Sequence, residues 1–284
     1  MPELNRMEII ASGEEAELLT ALLALRVNHG WEEEDLPSGE TLFRVHTHNP
    51  LFFQELESEL RSYLPNLDLS LDQIPELDWV EGWKEFFTPV EAGSRFIVLA
   101  PWMEAERAAT KRTPIIIEPK TAFGTGHHAT TALCLQALSD FYDAGRIKSG
   151  QTFLDLGTGS GILGIAAAKL GLTGIGVDPD LMAVENSLEN REINAIAPEA
   201  FTVARGSLEA VSGGPFDLVL ANILAEPLLN LAPGLMAQVK PGGCLALSGI
   251  LISQAEKVSQ AYAALGEPRI FTRDEWACLC FYAE

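Results

Sequence analysis

The run Phe153-Leu154-Asp155-Leu156-Gly157-Thr158-Gly159-Ser160-Gly161-Ile162-Leu163-Gly164 constrains this chain more than any other stretch. An apolar strand runs into closely spaced glycines and then directly into an apolar helix over Ile162–Leu170. Glycine permits a tight turn and a ligand's close approach to the backbone, and a helix start offers unpaired N–H groups. Strand, glycine turn and helix in that order belong to parallel α/β sheets, whose ligands collect at the carboxyl ends of the strands. A second apolar strand ends in Gly176-Val177-Asp178-Pro179-Asp180. Its acidic side chain can accept both hydroxyls of an adenosine ribose.

Two ligand classes fit this pattern. Gly159–Gly164 matches G-x-G-x-x-G, which suits a nicotinamide dinucleotide and, with it, an NAD(P)-dependent oxidoreductase. S-adenosylmethionine (SAM) lacks a pyrophosphate but carries a cationic amine, and Asp155 places a carboxylate near where that end could lie. A tight turn without a ligand is the third reading. Phe216-Asp217-Leu218-Val219-Leu220-Ala221-Asn222 is a buried strand ending in a polar amide, where a doubly wound sheet opens its crevice. The amide oxygen of Asn222 can accept hydrogen bonds from a substrate amine and aim its lone pair at a methyl group. Alternatively, Asn222 caps the following helix. The block Ala122-Phe123-Gly124-Thr125-Gly126-His127-His128-Ala129-Thr130-Thr131 leads into a helix. It reads as a flap made of Phe123, Gly124, Thr125, Gly126 and His128, with Thr131 touching the ligand. His127 and His128 lack the i, i+4 spacing of helical zinc ligands, and His46 with His48 has no Cys or carboxylate set nearby in sequence. Cys278 and Cys280 share a strand face. His46, His48, Cys278 and Cys280 are expected to be structural, and no metal is expected.

From Phe96 onward, apolar strands alternate with helices: Phe96–Ala100, Ile115–Glu118, Thr152–Leu156, Gly174–Asp178, Ala200–Ala204, Asp217–Ala221, Cys244–Ser248 and Trp276–Tyr282. That alternation predicts a doubly wound, mostly parallel sheet. Residues 1–75 read differently, as βαββαβ. The strands are Leu4–Ala11, Trp31–Leu36, Thr41–Thr47 and Leu67–Ile74. One helix is capped by Ser12 with Glu15 in capping-box spacing, and another by Asn49 with Pro50 at its first position. This order predicts a small α+β ferredoxin-like domain. Between the two lies a connector, 76–95, in which Trp79, Trp83, Phe86 and Phe87 share one helix face. The expected organisation is therefore 1–75, a linker 76–95, and a ligand-binding domain 96–284.

Composition sharpens the choice of partner. The 284 residues carry 19 Lys+Arg and 40 Asp+Glu, a formal charge of −21, which argues against a protein that grips nucleic acid through its phosphates. Residues 1–91 hold 20 acids against 5 bases, so most of the excess lies there, including Glu32-Glu33-Glu34-Asp35. Such a surface either simply solvates the fold or attracts a basic partner. No apolar run reaches the roughly 18 residues of a membrane helix, and the 4 cysteines form no C-x-x-C pair. A soluble cytoplasmic protein, acting as a monomer without membrane or nucleic-acid contact, is expected.

Taken together, Asp78-Trp79-Val80-Glu81-Gly82-Trp83-Lys84, Ala122–Thr131, Asp155–Gly161, Asp178, the Asn190/Asn194 segment and Ala221-Asn222-Ile223-Leu224 resemble the ribosomal protein L11 methyltransferases, known as PrmA. The resemblance covers nearly the full length. It implies an N-terminal substrate-recognition domain, a flexible linker and a Rossmann-like catalytic domain that uses SAM. It places SAM contacts on Thr131, Gly157, Asp178 and Asn222, beside the glycine-loop candidates Asp155, Gly159 and Gly161. It further implies methylation of amino groups, on lysine side chains and the N-terminal α-amine, of ribosomal protein L11. A basic substrate favours the docking reading of the acidic segment.

Overall fold

The computed structural model describes residues 3–27, 30–75, 88–118, 128–211 and 213–283. The expected aromatic helix face of Trp79, Trp83, Phe86 and Phe87 lies outside them. Two compact units divide the chain, Met1–Phe87 and Thr88–Glu284.

The first unit follows the order β1 (Glu3–Ala11), α1 (Glu14–Arg26), β2 (Glu32–Asp35), β3 (Thr41–Thr47), α2 (Pro50–Tyr63) and β4 (Asp68–Pro75). Its antiparallel sheet runs β2-β3-β1-β4, the ferredoxin-like arrangement. Period-2 alternation puts Met7, Ile9, Phe43 and Val45 on one face, against Leu19, Leu23 and the Phe53/Leu56/Leu60 stripe of α2. Asn49 caps α2 as expected, accepting from Leu51 N at 3.1 Å. Ser12 does not cap α1. Gly13 intervenes at φ 54°, and the Ser12 carbonyl, not its hydroxyl, accepts from Glu15 N.

In the second unit come β5 (Val90–Ala92), β6 (Phe96–Leu99), α3 (Glu104–Ala109), β7 (Thr113–Ile116), α4 (Ala129–Asp143), β8 (Thr152–Leu156), α5 (Ile162–Lys169) and β9 (Thr173–Asp178). These are followed by α6 (Leu181–Ile193), β10 (Phe201–Arg205), β11 (Phe216–Asn222), α7 (Ala225–Ala237), β12 (Val239–Leu251), α8 (Ile252–Ala261), β13 (Arg269–Arg273) and β14 (Trp276–Tyr282). The large sheet is ordered β10-β9-β8-β11-β12-β14-β13. It is parallel from β10 to β12, while β14 runs antiparallel to both of its neighbours. Alternate residues of each central strand enter opposite cores. Phe153, Leu218, Leu220 and Ala246 join the helix α4/α5 side, and Leu154, Val219, Ala221 and Leu247 join the α7/α8 side. Burial on both faces explains why these strands read as continuous apolar runs.

Three expectations shift. The strands at Phe96 and Ile115 do not join the large sheet but form a separate β5-β6-β7 sheet. Phe96, Val98, Ile115 and Ile117 are buried against the α4 side of the core, so their apolar pattern reports packing rather than ladder membership. Residues 90–92, read as connector, pair with β6; so short a strand shows too little alternation to be recognised. Strand β13, mostly exposed at the sheet edge, carried no apolar run and was not foreseen.

Candidate functional site

Strand β8 sits between β9 and β11, and the chain leaves it in opposite directions to the two sides. Such a switch point opens a crevice at the strand ends. Three ends converge there: the glycine loop after β8, Asp178 closing β9 and Asn222 closing β11.

The loop is pinned from below. Gly157 N and Thr158 N both donate to the Val177 carbonyl, at 2.9 and 3.1 Å. Gly157 adopts φ 70°, and a Cβ there would come within 2.3 Å of the Ile223 side chain, so only glycine fits. Gly161, at φ 81°, caps α5, and a Cβ on it would meet Ser187 Oγ at 2.4 Å. The buried Asp155 carboxylate braces the turn, its Oδ2 accepting from the Thr158 hydroxyl (2.7 Å) and Gly164 N (2.9 Å). Burial pushes this carboxyl up to about 6; those two hydrogen bonds oppose the shift and the charge of Asp178 adds to it. Asp155 Oδ1 is buried without a hydrogen-bond partner among the described residues.

Asp178 joins loop to helix: Oδ2 accepts from Gly159 N and Oδ1 from Asp180 N, both at 3.0 Å. A cleft of about 270 Å³ opens beside it, walled by Thr131, Gly157, Gly159, Asp178 and Asn222. These sequence-derived residues are thus brought together; Asp155 and Gly161 support the loop from outside the cleft wall. Thr158, Ile162, Leu163, Pro179 and Ile223 complete the lining. Each lies within two residues of a predicted one, the only sequence signal they carried.

Asn222 Nδ2 donates to Thr131 Oγ1 at 3.4 Å, whereas its Oδ1 is buried with no hydrogen-bond partner among the described residues. Helix α7 begins after Leu224 with no side-chain cap, so Asn222 is not that helix's cap. On its far side lies a second cavity of about 250 Å³, lined by His128, Thr130, Asn222, Ile223, Leu224, Gly249 and Trp276. The His128 and Trp276 rings meet edge to face, centroids 4.8 Å apart. His128 also caps α4, its Nδ1 accepting from Thr130 N. Of the proposed flap, His128 alone is described; Phe123, Gly124, Thr125 and Gly126 lie outside the described residues, as does His127.

The four cysteines are free and buried. Burial raises Cys244 to about 12, and hydrogen bonding of the Cys278 thiol with Cys134 and Cys280, together with burial, raises Cys278, which leaves these two thiols protonated and unreactive. Among the described residues, no group of three or more His, Cys, Asp or Glu could hold a metal ion, and no helix is long and apolar enough to cross a membrane.

A family model described as Ribosomal protein L11 methyltransferase (PrmA) matches residues 23–284. The ribosomal protein L11 methyltransferase of Syntrophotalea carbinolica is 42% identical over 231 residues, 79% of this chain and 74% of that protein. Its counterpart in Thermus thermophilus is 40% identical over 235 residues, covering 80% of this chain and 88% of that one. The crystal structure of ribosomal protein L11 methylase from Lactobacillus delbrueckii subsp. bulgaricus aligns with a TM-score of 0.62 at 30% identity, over 70% of this chain and 100% of its own. None of these supports the dinucleotide reading of the glycine loop. On the extent of these matches, the chain belongs to the ribosomal protein L11 methyltransferase (PrmA) family.

Proposed function

We propose that this protein methylates amino groups of ribosomal protein L11, on lysine side chains and the N-terminal α-amine, with SAM as donor. The observation that carries the reading is the meeting of two cavities at one amide. One cleft holds the Asp178 carboxylate and the glycine loop; the other, more nearly apolar, is walled by Trp276 and Leu224; Asn222 lines both.

The residues fit SAM. Asp178 has two oxygens with lone pairs to spare for a ribose diol, and Asn222 lines both cavities with an Oδ1 that is buried and has no partner among the described residues. Thr131, Gly157 and Gly159 would line the rest of the donor, with Asp155 and Gly161 holding the loop. Bound SAM supplies an electrophilic methyl on a sulfonium. What the chain supplies is a neutral amine in the right place. An unperturbed lysine costs about 4–5 kcal/mol to deprotonate at neutral pH and an α-amine about 1 kcal/mol. An apolar cavity lowers that cost by disfavouring the ammonium. Asn222 Oδ1 then accepts an amine N–H and directs the lone pair, with positioning supplying much of the acceleration. His128 is not placed as the base: its Nδ1 is engaged by the hydroxyl and the amide of Thr130, at 2.8 and 3.4 Å. We assign the amine's proton to solvent.

Residues 1–75 serve as the recognition domain, their acidic surface drawing in a basic substrate in the cytoplasm. The enzyme acts as a monomer without touching nucleic acid or membrane. Incubation of purified ribosomal protein L11 with the enzyme and methyl-labelled SAM should add label to amino groups, located by mass spectrometry. Absence of label, or tight NAD(H) binding in place of SAM, would overturn the proposal.

A further inference from the structure

Helix α6 turns a polar stripe inward. Asn186, Ser187, Asn190 and Asn194 are all buried, although an unpaired buried amide costs about 1–3 kcal/mol. The three asparagines stand at i, i+4 and i+8, one above another on a single face. Two of them reach outside the helix. Asn194 treats β7 as a neighbouring strand would: its Oδ1 accepts from Ile116 N (2.9 Å) and its Nδ2 donates to Ile116 O (2.6 Å). Ile117 N points the other way, to Leu99 O on β6. The amides therefore complete the open edge of the small sheet. One turn earlier, Asn190 Oδ1 accepts from Glu118 N (2.9 Å). Its Nδ2 donates to Ser160 O, in the glycine loop, at 2.9 Å, and to Asn186 Oδ1 at 3.2 Å.

A single side chain thus spans the end of β7 and the loop proposed to hold SAM. The Ser160–Gly161 peptide has its carbonyl held by Asn190 and its N–H on Thr158 O, at 2.8 Å. Both ends of that peptide are fixed, which sets the direction of the Gly161 cap and the start of α5. The same helix begins at Asp180, tied to the Asp178 carboxylate. Helix α6 is a template along which the ribose acceptor, the glycine loop and the small sheet are held in register.

From this geometry we infer that Asn190 is a positioning residue for the cofactor: it orients the glycine loop through Ser160 and couples that loop to the Glu118 end of β7. The inference rests on the SAM reading of the cleft.

The test uses S-adenosylhomocysteine (SAH) binding to the full-length protein by calorimetry. In Asn190→Asp the ionised side chain still accepts from Glu118 N but cannot donate to Ser160 O; once protonated, it does both. Relative to wild type, SAH affinity should fall about tenfold or more near pH 8 and recover toward wild type near pH 5.5. Asp155, in the loop, is present in both proteins, so its own titration enters both sides of that ratio. Asn194→Ala, which leaves Ser160 held, should lower Tm while changing SAH affinity less than about twofold. Hydrogen exchange on the wild type needs no variant: SAH should slow the Glu118 amide in step with the glycine-loop amides. Unchanged SAH affinity in a folded Asn190→Asp protein, an equal loss in Asn194→Ala, or an indifferent Glu118 amide would overturn the inference alone. A wild-type protein with no SAH affinity would overturn the SAM reading and this inference with it.

Discussion

Replacing Asp155 by asparagine probes the glycine loop through its proton balance. Burial holds this carboxyl at about 6, against 3.8 when unburied. The folded state therefore keeps its proton more tightly, and between those two values it carries more protons than the unfolded chain. Stability falls as pH rises through that window and levels off above about 6. Integrating the two titrations gives a loss of about 1.3 kcal/mol between roughly pH 5 and pH 7. Asn at this position cannot ionise, so the stability of Asp155→Asn minus that of wild type should climb by that amount over the same interval, other carboxylates cancelling. Urea denaturation of both proteins at steps from about pH 4.5 to 8 measures the difference directly. A difference independent of pH, or one that falls with pH, would refute the claim that burial raises this carboxyl.

Asp178→Ala removes a charged acceptor from the ribose and from Gly159 N, and should weaken SAH binding by about 1.5–3 kcal/mol; unchanged affinity in calorimetry would take Asp178 out of the site. Asn222→Ala should lower kcat by roughly ten- to hundredfold while changing SAH affinity much less, because its oxygen, without a partner among the described residues, is assigned to the amine; equal losses would make it chiefly a donor contact. Deletion of residues 1–75 should leave SAH binding intact, since the cleft residues and both cores of the large sheet lie beyond residue 88. The same deletion should abolish efficient methylation of the protein substrate, and full-length activity should fall as salt rises from about 0.05 to 0.5 M. Full-length efficiency in the truncated enzyme would remove the recognition role.

Much of the site was legible because its parts are local. Gly157, Gly159 and Asp178 announce themselves through turns and strand ends that must be built from neighbouring residues, and Asn222 through a polar amide closing an apolar strand. The second cavity was not legible. His128 and Trp276 meet only because β14 is inserted beside β12 in the reverse direction, and nothing near either residue encodes that choice. The partners of Asn190 and Asn194 were equally hidden, since an amide on a helix shows its capacity to bond but not its target. The Ser12 capping box failed for a smaller reason: Gly13 takes the cap position, and the Ser12 carbonyl, not its hydroxyl, receives the Glu15 amide.

The position of β14 also imposes an order on how the molecule can be completed. Among the described strands it is the last to be synthesised, yet it lies between β12 and β13 and hydrogen-bonds to both. Until it emerges, a nascent chain can align β8 to β12, but β12 presents a bare edge and β13 has no strand to pair with. An unfilled edge of that kind invites pairing with other chains. Trp276 arrives with the same strand, so the apolar wall beside Asn222 is absent until then. A polypeptide cut just before residue 276 would keep the glycine loop, Asp178 and Asn222, yet lack the surface proposed to receive the amine.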